Sequence, residues 1–204
     1  MSPVQPSAIK PKNVDFMVGD LTKLPLPFED GTFDYVHMRL LNLGLHKDFW
    51  PTLISEITRV VKPGGHLELM EIGRAVMPGP TKFPNLIGFA LQGAVSRGID
   101  SDIAKHLKYH LESQPGLTNV QEVVRQLQTC PDRSDASAVR IAKLYGDDLR
   151  CAVTGSKAPL VAPGLCKEED FEGLVKAHVG ETLSTKHEFD WVRCFAMKGE
   201  RKEE

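Results

Sequence analysis

The sequence has few cysteines and no long apolar run, and each of these shortages excludes a class of protein. The four cysteines stand far apart and none belongs to a C-x-x-C pair: Cys130, Cys151, Cys166 and Cys194. No window approaches the roughly 20 apolar residues of a membrane-spanning helix, and the N-terminus does not resemble a signal peptide. We therefore expect reduced thiols in an intracellular protein, located in the cytoplasm or the nucleus.

An excess of charge of one sign is also missing. Lysine and arginine total 25 and aspartate and glutamate total 27, which gives a formal net charge of -2. A nearly neutral chain creates no field that gathers nucleic acid or an anionic membrane. We therefore predict neither of these as a partner.

What the sequence does contain is the composition of a globular protein. Its 204 residues are 41% hydrophobic and 25% charged, a length and balance typical of one domain with its own core. Residues 1–13 contain three prolines, so we predict a flexible lead-in there and a single domain over residues 14–204.

Hydrophobic periodicity predicts strands that alternate with helices, and hence an α/β domain with a largely parallel sheet. The predicted strands are Val14–Val18, Thr32–Met38, His66–Ile72, Val120–Leu127 and Glu188–Met197. The predicted helices are Asp48–Val61, Phe83–Gly98, Asp102–Glu112, residues 137–153 and Glu168–Gly180. The segment Lys62–Gly65, with a proline and two glycines, is predicted to join the first helix to the next strand.

Two of these strands have side chains that predict their places in the sheet. Glu188–Met197 is apolar on both faces, which favours a central strand covered by helices. Val120–Leu127 carries polar residues along its length, which favours an edge. Because ligands of such sheets bind beyond the carboxyl ends of the strands, a functional site is expected there.

Three segments of the first half of the chain carry a family resemblance: Val14–Leu21, Leu24–His37 and Glu56–Leu69. In this order and at this spacing, they resemble class I S-adenosylmethionine-dependent methyltransferases, and most of all the small-molecule branch common in fungi. Residues 80–204 match that family only in the order of their elements. The resemblance implies a Rossmann-like sheet in which Glu188–Met197 inserts antiparallel between Gly65–Ile72 and the strand near Val120.

The resemblance also implies S-adenosylmethionine as the cofactor and a small molecule as the methyl acceptor. It implies that Asp20 accepts a hydrogen bond from the adenine amino group and that Leu21 offers a backbone contact to the ring. His37 and Arg39 would approach the methionine end of the cofactor. The helices from Phe83 to Glu112 would wall the acceptor pocket.

Other roles are open for the candidate residues. Asp20 would also suit a turn, and His37 would suit a packed or hydrogen-bonded position. Glu71, at the end of a predicted strand, suits either a general base or a carboxylate that holds neighbouring groups by hydrogen bonds. His106 and His110 have the i, i+4 spacing of a metal pair but lack a third ligand, which favours surface positions. We therefore predict no metal site, and the sequence identifies no catalytic residue.

The sequence departs from the family in one motif, the glycine-rich loop. The family begins with a strand and a G-x-G-x-G loop against the cofactor, and this sequence contains no G-x-G triplet. We therefore expect a sheet that is incomplete on its N-terminal side: either Val14–Val18 pairs directly beside Phe33–Met38, or the chain is a fragment. The alternative function is that of a truncated, catalytically inactive methyltransferase-like protein that binds a protein partner through an exposed sheet edge.

Overall fold

The computed structural model describes residues 11–76, 93–128, 134–155, 157–161, 164, 166–184 and 188–200. The strands are β1 (Phe33–Arg39), β2 (Val61–Val76), β3 (Leu117–Gln128) and β4 (Glu188–Lys198). The helices are α1 (Trp50–Val60), α2 (Leu107–Glu112), α3 (Ala136–Gly155), α4 (Lys157–Val161) and α5 (Phe171–Ser184), with 3-10 turns at Lys47–Phe49 and Ile103–Lys105. Residues 1–10 of the predicted lead-in, residues 83–92 of the predicted helix Phe83–Gly98, and Cys130 lie outside the described residues.

One four-stranded sheet, in the order β1-β2-β4-β3, forms the centre of the fold. β1 and β2 run parallel, whereas β4 is antiparallel to both of its neighbours. Three strands therefore point one way and β4 points the other, as the resemblance implied. The central place predicted for the last strand and the edge place predicted for the strand near Val120 are both confirmed.

The strand predicted at Val14–Val18 is wrong. These residues form no strand, and Phe16, Met17 and Val18 expose 48%, 62% and 77% of their surface. A run of β-forming residues becomes a strand only where a neighbour completes its hydrogen-bond ladder, and among the described residues β1 pairs with β2 alone. The pairing predicted beside Phe33–Met38 is therefore wrong as well, and β1 is an edge strand.

Helices α1 and α2 cover one face of the sheet. The apolar spacing predicted for α1 is confirmed, because the residues on that stripe are buried. α2 and the turn before it add a second layer of apolar side chains, and the strands contribute residues of one parity. The shared cluster includes Met38, Trp50, Leu53, Ile54, Ile57, Leu67, Leu69, Ile103, Leu107, Leu111, Val192, Cys194 and Ala196.

Helices α3 and α5 pack on each other in a second apolar cluster, which contains Leu149, Val153, Phe171, Val175 and Val179. The face predicted for α3 is wrong at its first turns, because Val139 and Ile141 are 42% and 52% exposed. The last turn of α5 lies against Gly146, where an added Cβ would stand 2.7 Å from Leu183. The buried residues of α3 are Ala142, Gly146, Leu149 and Val153, and this narrower stripe leaves Val139 and Ile141 outside it.

The connection before β1 is fixed to α1 by charged groups. Arg59 contacts Asp30 at 2.7 Å and Glu56 at 2.6 Å, and Glu56 accepts the backbone N–H of Leu26 at 2.7 Å. The hydrogen bond from Arg59 lowers the pKa of Glu56, so this carboxylate remains ionised. These contacts hold Leu26 and Phe28 beside β1, where an open apolar groove of about 280 Å³ follows the edge of the sheet.

The segment Lys62–Gly65 does not stand between helix and strand as predicted, because β2 begins at Val61 directly after α1. The register with β1 shifts here, and Gly64 has a φ of 74°. Gly65 approaches β1 so closely that an added Cβ would stand 2.9 Å from the carbonyl oxygen of Asp34. The glycines thus permit an irregular first stretch of β2 in close contact with β1.

Two expectations from composition can be compared with the described part of the chain. Cys151, Cys166 and Cys194 are free cysteines there. None of the helices in these residues has both the length and the apolar character needed to cross a bilayer.

Candidate functional site

The loop after β1 is built around a buried carboxylate. Because β1 and β2 run parallel, their carboxyl ends lie at the same edge of the sheet. Glu71 of β2 is 1% exposed, and its Oε1 accepts the backbone N–H of Leu41 at 2.7 Å. Its Oε2 accepts the N–H of Asn42 at 3.4 Å. Both oxygens therefore hold the chain as it leaves β1.

This loop begins with a strained residue. Leu40 has a φ of 55°, a left-handed conformation that costs a non-glycine residue about 1–2 kcal/mol. Its N–H donates to the carbonyl oxygen of Met70 at 3.1 Å. Since such strain persists only where the surroundings impose it, β2 holds the loop through Met70 and Glu71.

The environment of Glu71 distinguishes between the two roles that its sequence position allows. Burial raises the pKa of this carboxyl to about 7, although the N–H groups of Leu41 and Asn42 act in the opposite direction. A general base must reach the proton that it removes, and Glu71 is enclosed with both oxygens bonded to backbone. The geometry favours the hydrogen-bonding role.

His37 lies on the opposite face of the sheet, in a polar cluster. Its Nδ1 is 3.4 Å from Glu68 Oε1, and its ring stacks on Tyr35 with 6.4 Å between the centroids. Glu68 also accepts the Tyr35 hydroxyl at 2.6 Å and contacts Arg193 Nε at 3.1 Å. Burial and the bond to Glu68 raise the pKa of Tyr35 to about 12, so the phenol remains protonated. His37 thus occupies a hydrogen-bonded position while a third of its side chain is exposed.

Glu68, Tyr35 and Arg193 are site residues that sequence reasoning missed. His37 and Glu68 are direct neighbours across β1 and β2, and Arg193 is the partner of Met70 on β4. The signal that could have found them is the alternation of side chains, which places them on one face once the register is known. Arg39, the last residue of β1, is exposed beside Met70.

Asp20 and Leu21 lie in a turn rather than at the tip of a strand. Asp20 Oδ1 accepts the N–H of Thr22 at 3.0 Å and its hydroxyl at 2.7 Å, while Lys23 Nζ lies 4.0 Å from Oδ2. The Thr22 hydroxyl is the main cause that lowers the pKa of Asp20. Leu21 packs against the main apolar cluster, which fixes the backbone of the turn. The carboxylate is half exposed, and its lowered pKa keeps it ionised.

His106 directly precedes α2 and is exposed, whereas His110 lies within α2 and is partly buried. His106 Nδ1 is 2.7 Å from Asp100 Oδ2, and its side chain is 52% exposed. Burial, together with the nearby His106, lowers the pKa of His110. In the described ranges no group of three histidine, cysteine or acidic side chains could hold a metal ion.

Comparison with known families bears directly on the turn and the loop. A family model described as a methyltransferase domain matches residues 4–65. This match covers 62 of the 204 residues, and it includes the Asp20 turn, β1 and the loop after it. All four predicted cofactor residues, Asp20, Leu21, His37 and Arg39, lie within the matched stretch.

Two relatives have informative names. The secondary metabolism regulator laeA of Coprinopsis cinerea is 29% identical over 130 residues, which are 57% of this chain and 32% of that protein. A demethylmenaquinone methyltransferase of Bacillus pumilus is 42% identical over 67 residues, 32% of this chain and 24% of that enzyme. The matched part of this chain therefore spans about a third or less of the length of these relatives.

Solved structures also resemble the chain. Phosphoethanolamine N-methyltransferase 2 of Haemonchus contortus, in complex with S-adenosyl-L-methionine, has a TM-score of 0.44 and 18% identity over 85% of this chain and 35% of that one. A geranyl diphosphate C-methyltransferase of Streptomyces coelicolor has a TM-score of 0.41 and 12% identity over 89% of this chain and 50% of that one.

Proposed function

We propose that the chain takes part in methyl transfer from S-adenosylmethionine to a small-molecule acceptor. The observation that carries this proposal is the methyltransferase-domain match over residues 4–65, which includes the Asp20 turn and β1. The demethylmenaquinone methyltransferase that matches the chain is named for a small-molecule acceptor, and this supports the same class of acceptor here.

The turn at Asp20 suits the adenine end of the cofactor. Its carboxylate is ionised, and Thr22 occupies Oδ1 and so leaves Oδ2 as the acceptor for an amino group. Leu21 is anchored in the apolar cluster, so its backbone offers a fixed contact to the purine ring. His37 and Arg39, on the strand that leads to the loop, would approach the methionine end.

Methyl transfer requires little covalent chemistry from the protein itself. S-adenosylmethionine, when bound, supplies a methyl group that its sulfonium charge has already activated. The residues of the chain then have to fix the acceptor in line with the methyl group and accept a proton where the acceptor loses one. Alignment depends on a loop of fixed shape, which the contacts of Glu71 with Leu41 and Asn42 provide.

The experiment that tests this proposal is a calorimetric titration with S-adenosylmethionine. We expect binding by the unchanged chain and a loss of affinity of about tenfold or more in Asp20→Ala, because a hydrogen bond to a charged group is lost. Asp102→Ala is the matched control, since Asp102 is 50% exposed and faces Lys105 at i+3, as Asp20 is 51% exposed and faces Lys23. The control variant should bind like the unchanged chain.

Two results would contradict the proposal. If the unchanged chain gives no heat of binding at millimolar cofactor, it is not a cofactor-binding methyltransferase by itself. If Asp20→Ala and Asp102→Ala bind equally well, Asp20 is a turn residue and the adenine site lies elsewhere.

A further inference from the structure

We propose that Glu71 is a positioning residue that sets the affinity for the cofactor by holding the loop Leu40–Asn42, and that it loosens this loop when it takes up a proton. This inference rests on the proposed function, because the loop follows the strand that carries His37 and Arg39. It adds a proton-dependent control to that site.

The geometry shows how one side chain can govern the loop. Glu71 bonds two consecutive backbone N–H groups, at 2.7 Å for Leu41 and 3.4 Å for Asn42. These residues directly follow Leu40, whose left-handed φ of 55° needs an external restraint. The two bonds of Glu71 and the bond from Leu40 to Met70 restrain the loop from β2. Further along, the Gly44 N–H donates to the Leu41 carbonyl oxygen at 2.9 Å, and Leu41 packs against the main apolar cluster. A weakened bond at Glu71 therefore changes the shape of the loop before it changes the sheet.

The two protonation states of Glu71 differ in what they accept. An ionised carboxylate accepts at both oxygens, whereas a neutral carboxylic acid presents one of them as a hydroxyl donor. The proton costs least at Oε2, because the bond from Asn42 is the longer of the two. The neutral form therefore keeps the hydrogen bond from the Leu41 N–H and loses the one from the Asn42 N–H. The ionised form accepts both hydrogen bonds.

No charge faces Glu71 from the strands that flank it. Its partner on β4 is Val192, while Arg39 of β1 and Arg193 of β4 are both partners of Met70, which points to the other face. Burial alone raises the pKa of Glu71 to about 7, and no charged side chain contributes to the shift. The carboxyl therefore changes its charge near neutral pH.

A rise in pH is expected to change the stability of the fold and the affinity for the cofactor in opposite directions. The folded chain holds a proton on Glu71 up to a pKa of about 7, whereas the unfolded chain releases it near 4.5. The native state thus binds more protons between these values, and its stability falls as the pH rises through them. Cofactor affinity rises over the upper part of the same range, because the ionised form holds the loop. A merely structural carboxyl would change the stability with pH and leave the cofactor affinity of the folded chain unchanged.

Glu71→Gln provides the test, since glutamine has nearly the same shape as the neutral acid and does not titrate. Between pH 6 and pH 8 we expect the affinity of the unchanged chain for S-adenosylmethionine to rise about tenfold and that of Glu71→Gln to stay at the lower value. Denaturant unfolding over the same pH range should show the unchanged chain losing stability relative to the variant. Glu122→Gln, which changes an exposed carboxyl of β3, is the control and should follow the unchanged chain.

Backbone amide NMR of the cofactor-free chain supplies a readout that does not depend on binding. The signals of Leu41 and Asn42 should titrate near pH 7 in the unchanged chain and remain constant in Glu71→Gln. If these signals do not titrate, or if affinity in the two proteins changes equally with pH, Glu71 does not control the loop. If the signals titrate but neither the unchanged chain nor Glu71→Gln binds the cofactor at any pH, the proposed function is wrong, and so is the link between Glu71 and affinity. The conclusion that Glu71 restrains the loop would still be supported by the titration.

Discussion

Replacing Trp50 with alanine should lower the free energy of unfolding by about 3–5 kcal/mol, the range for removing a fully buried large aromatic side chain. Trp50 is the first residue of α1, is 0% exposed, and belongs to the apolar cluster under the sheet. Its loss leaves a cavity where α1 enters that cluster. Urea or thermal unfolding, followed by circular dichroism, measures the effect.

Trp50→Phe is the matched variant, because it keeps an aromatic ring and removes a polar atom. The indole Nε1 is buried and has no hydrogen-bond partner among the described residues. Phenylalanine leaves a smaller cavity than alanine does. A buried unpaired donor costs about 1–3 kcal/mol, so its removal offsets part of the stability lost to that cavity. We expect Trp50→Phe to lose less than half as much stability as Trp50→Ala. Equal losses would show that the indole N–H is bonded in solution.

Gly65→Ala should be the second most damaging change, with a loss of about 3 kcal/mol, at the upper end of the range for overpacking. The added Cβ would stand 2.9 Å from three atoms, namely the carbonyl oxygens of Asp34 and Lys62 and a methyl group of Val61. Two of these atoms belong to backbone, so no side-chain rotation relieves the contact. β1 would have to move away from β2, and the loop after β1 would move with it.

Gly180→Ala is the control for Gly65→Ala, because it makes the same chemical change in open space. Gly180 lies within α5, and an added Cβ there meets nothing within 4 Å. Alanine favours the helix over glycine by about 0.5–1 kcal/mol, so this variant should gain stability. If Gly65→Ala is as stable as the unchanged chain, β1 and β2 are farther apart at this point than the structure has them.

Sequence patterns predicted correctly those elements whose buried faces are evident from their own residues. α1 was predictable because its buried residues repeat at helical spacing, and β4 because both of its faces are apolar. Val14–Val18 has the same β-forming residues as a strand, but whether it pairs depends on a neighbour that its own sequence does not specify. The exposed Val139 and Ile141 of α3 have a similar cause, since the apolar residues of a helix do not specify which of them a neighbouring helix covers.

The candidate site was predictable in part for the same reason. Asp20, His37 and Arg39 could be named from motifs, because motifs are short and contiguous. The contacts of His37 with Glu68 and of Glu71 with Leu41 join residues about thirty positions apart and depend on the register of β1 and β2. Whether Glu71 was a general base or a restraint could only be decided once its burial and partners were known.

The side of β1 that pairs with no strand among the described residues has a practical consequence for work with this chain. Its backbone donors and acceptors, next to an apolar groove, are a template for any extended peptide, including one from another copy of the molecule. Protein concentration is therefore an experimental variable in its own right. Calorimetry and NMR of the variants belong at several dilutions, with light scattering alongside, so that self-association is not mistaken for a change in ligand affinity or fold stability.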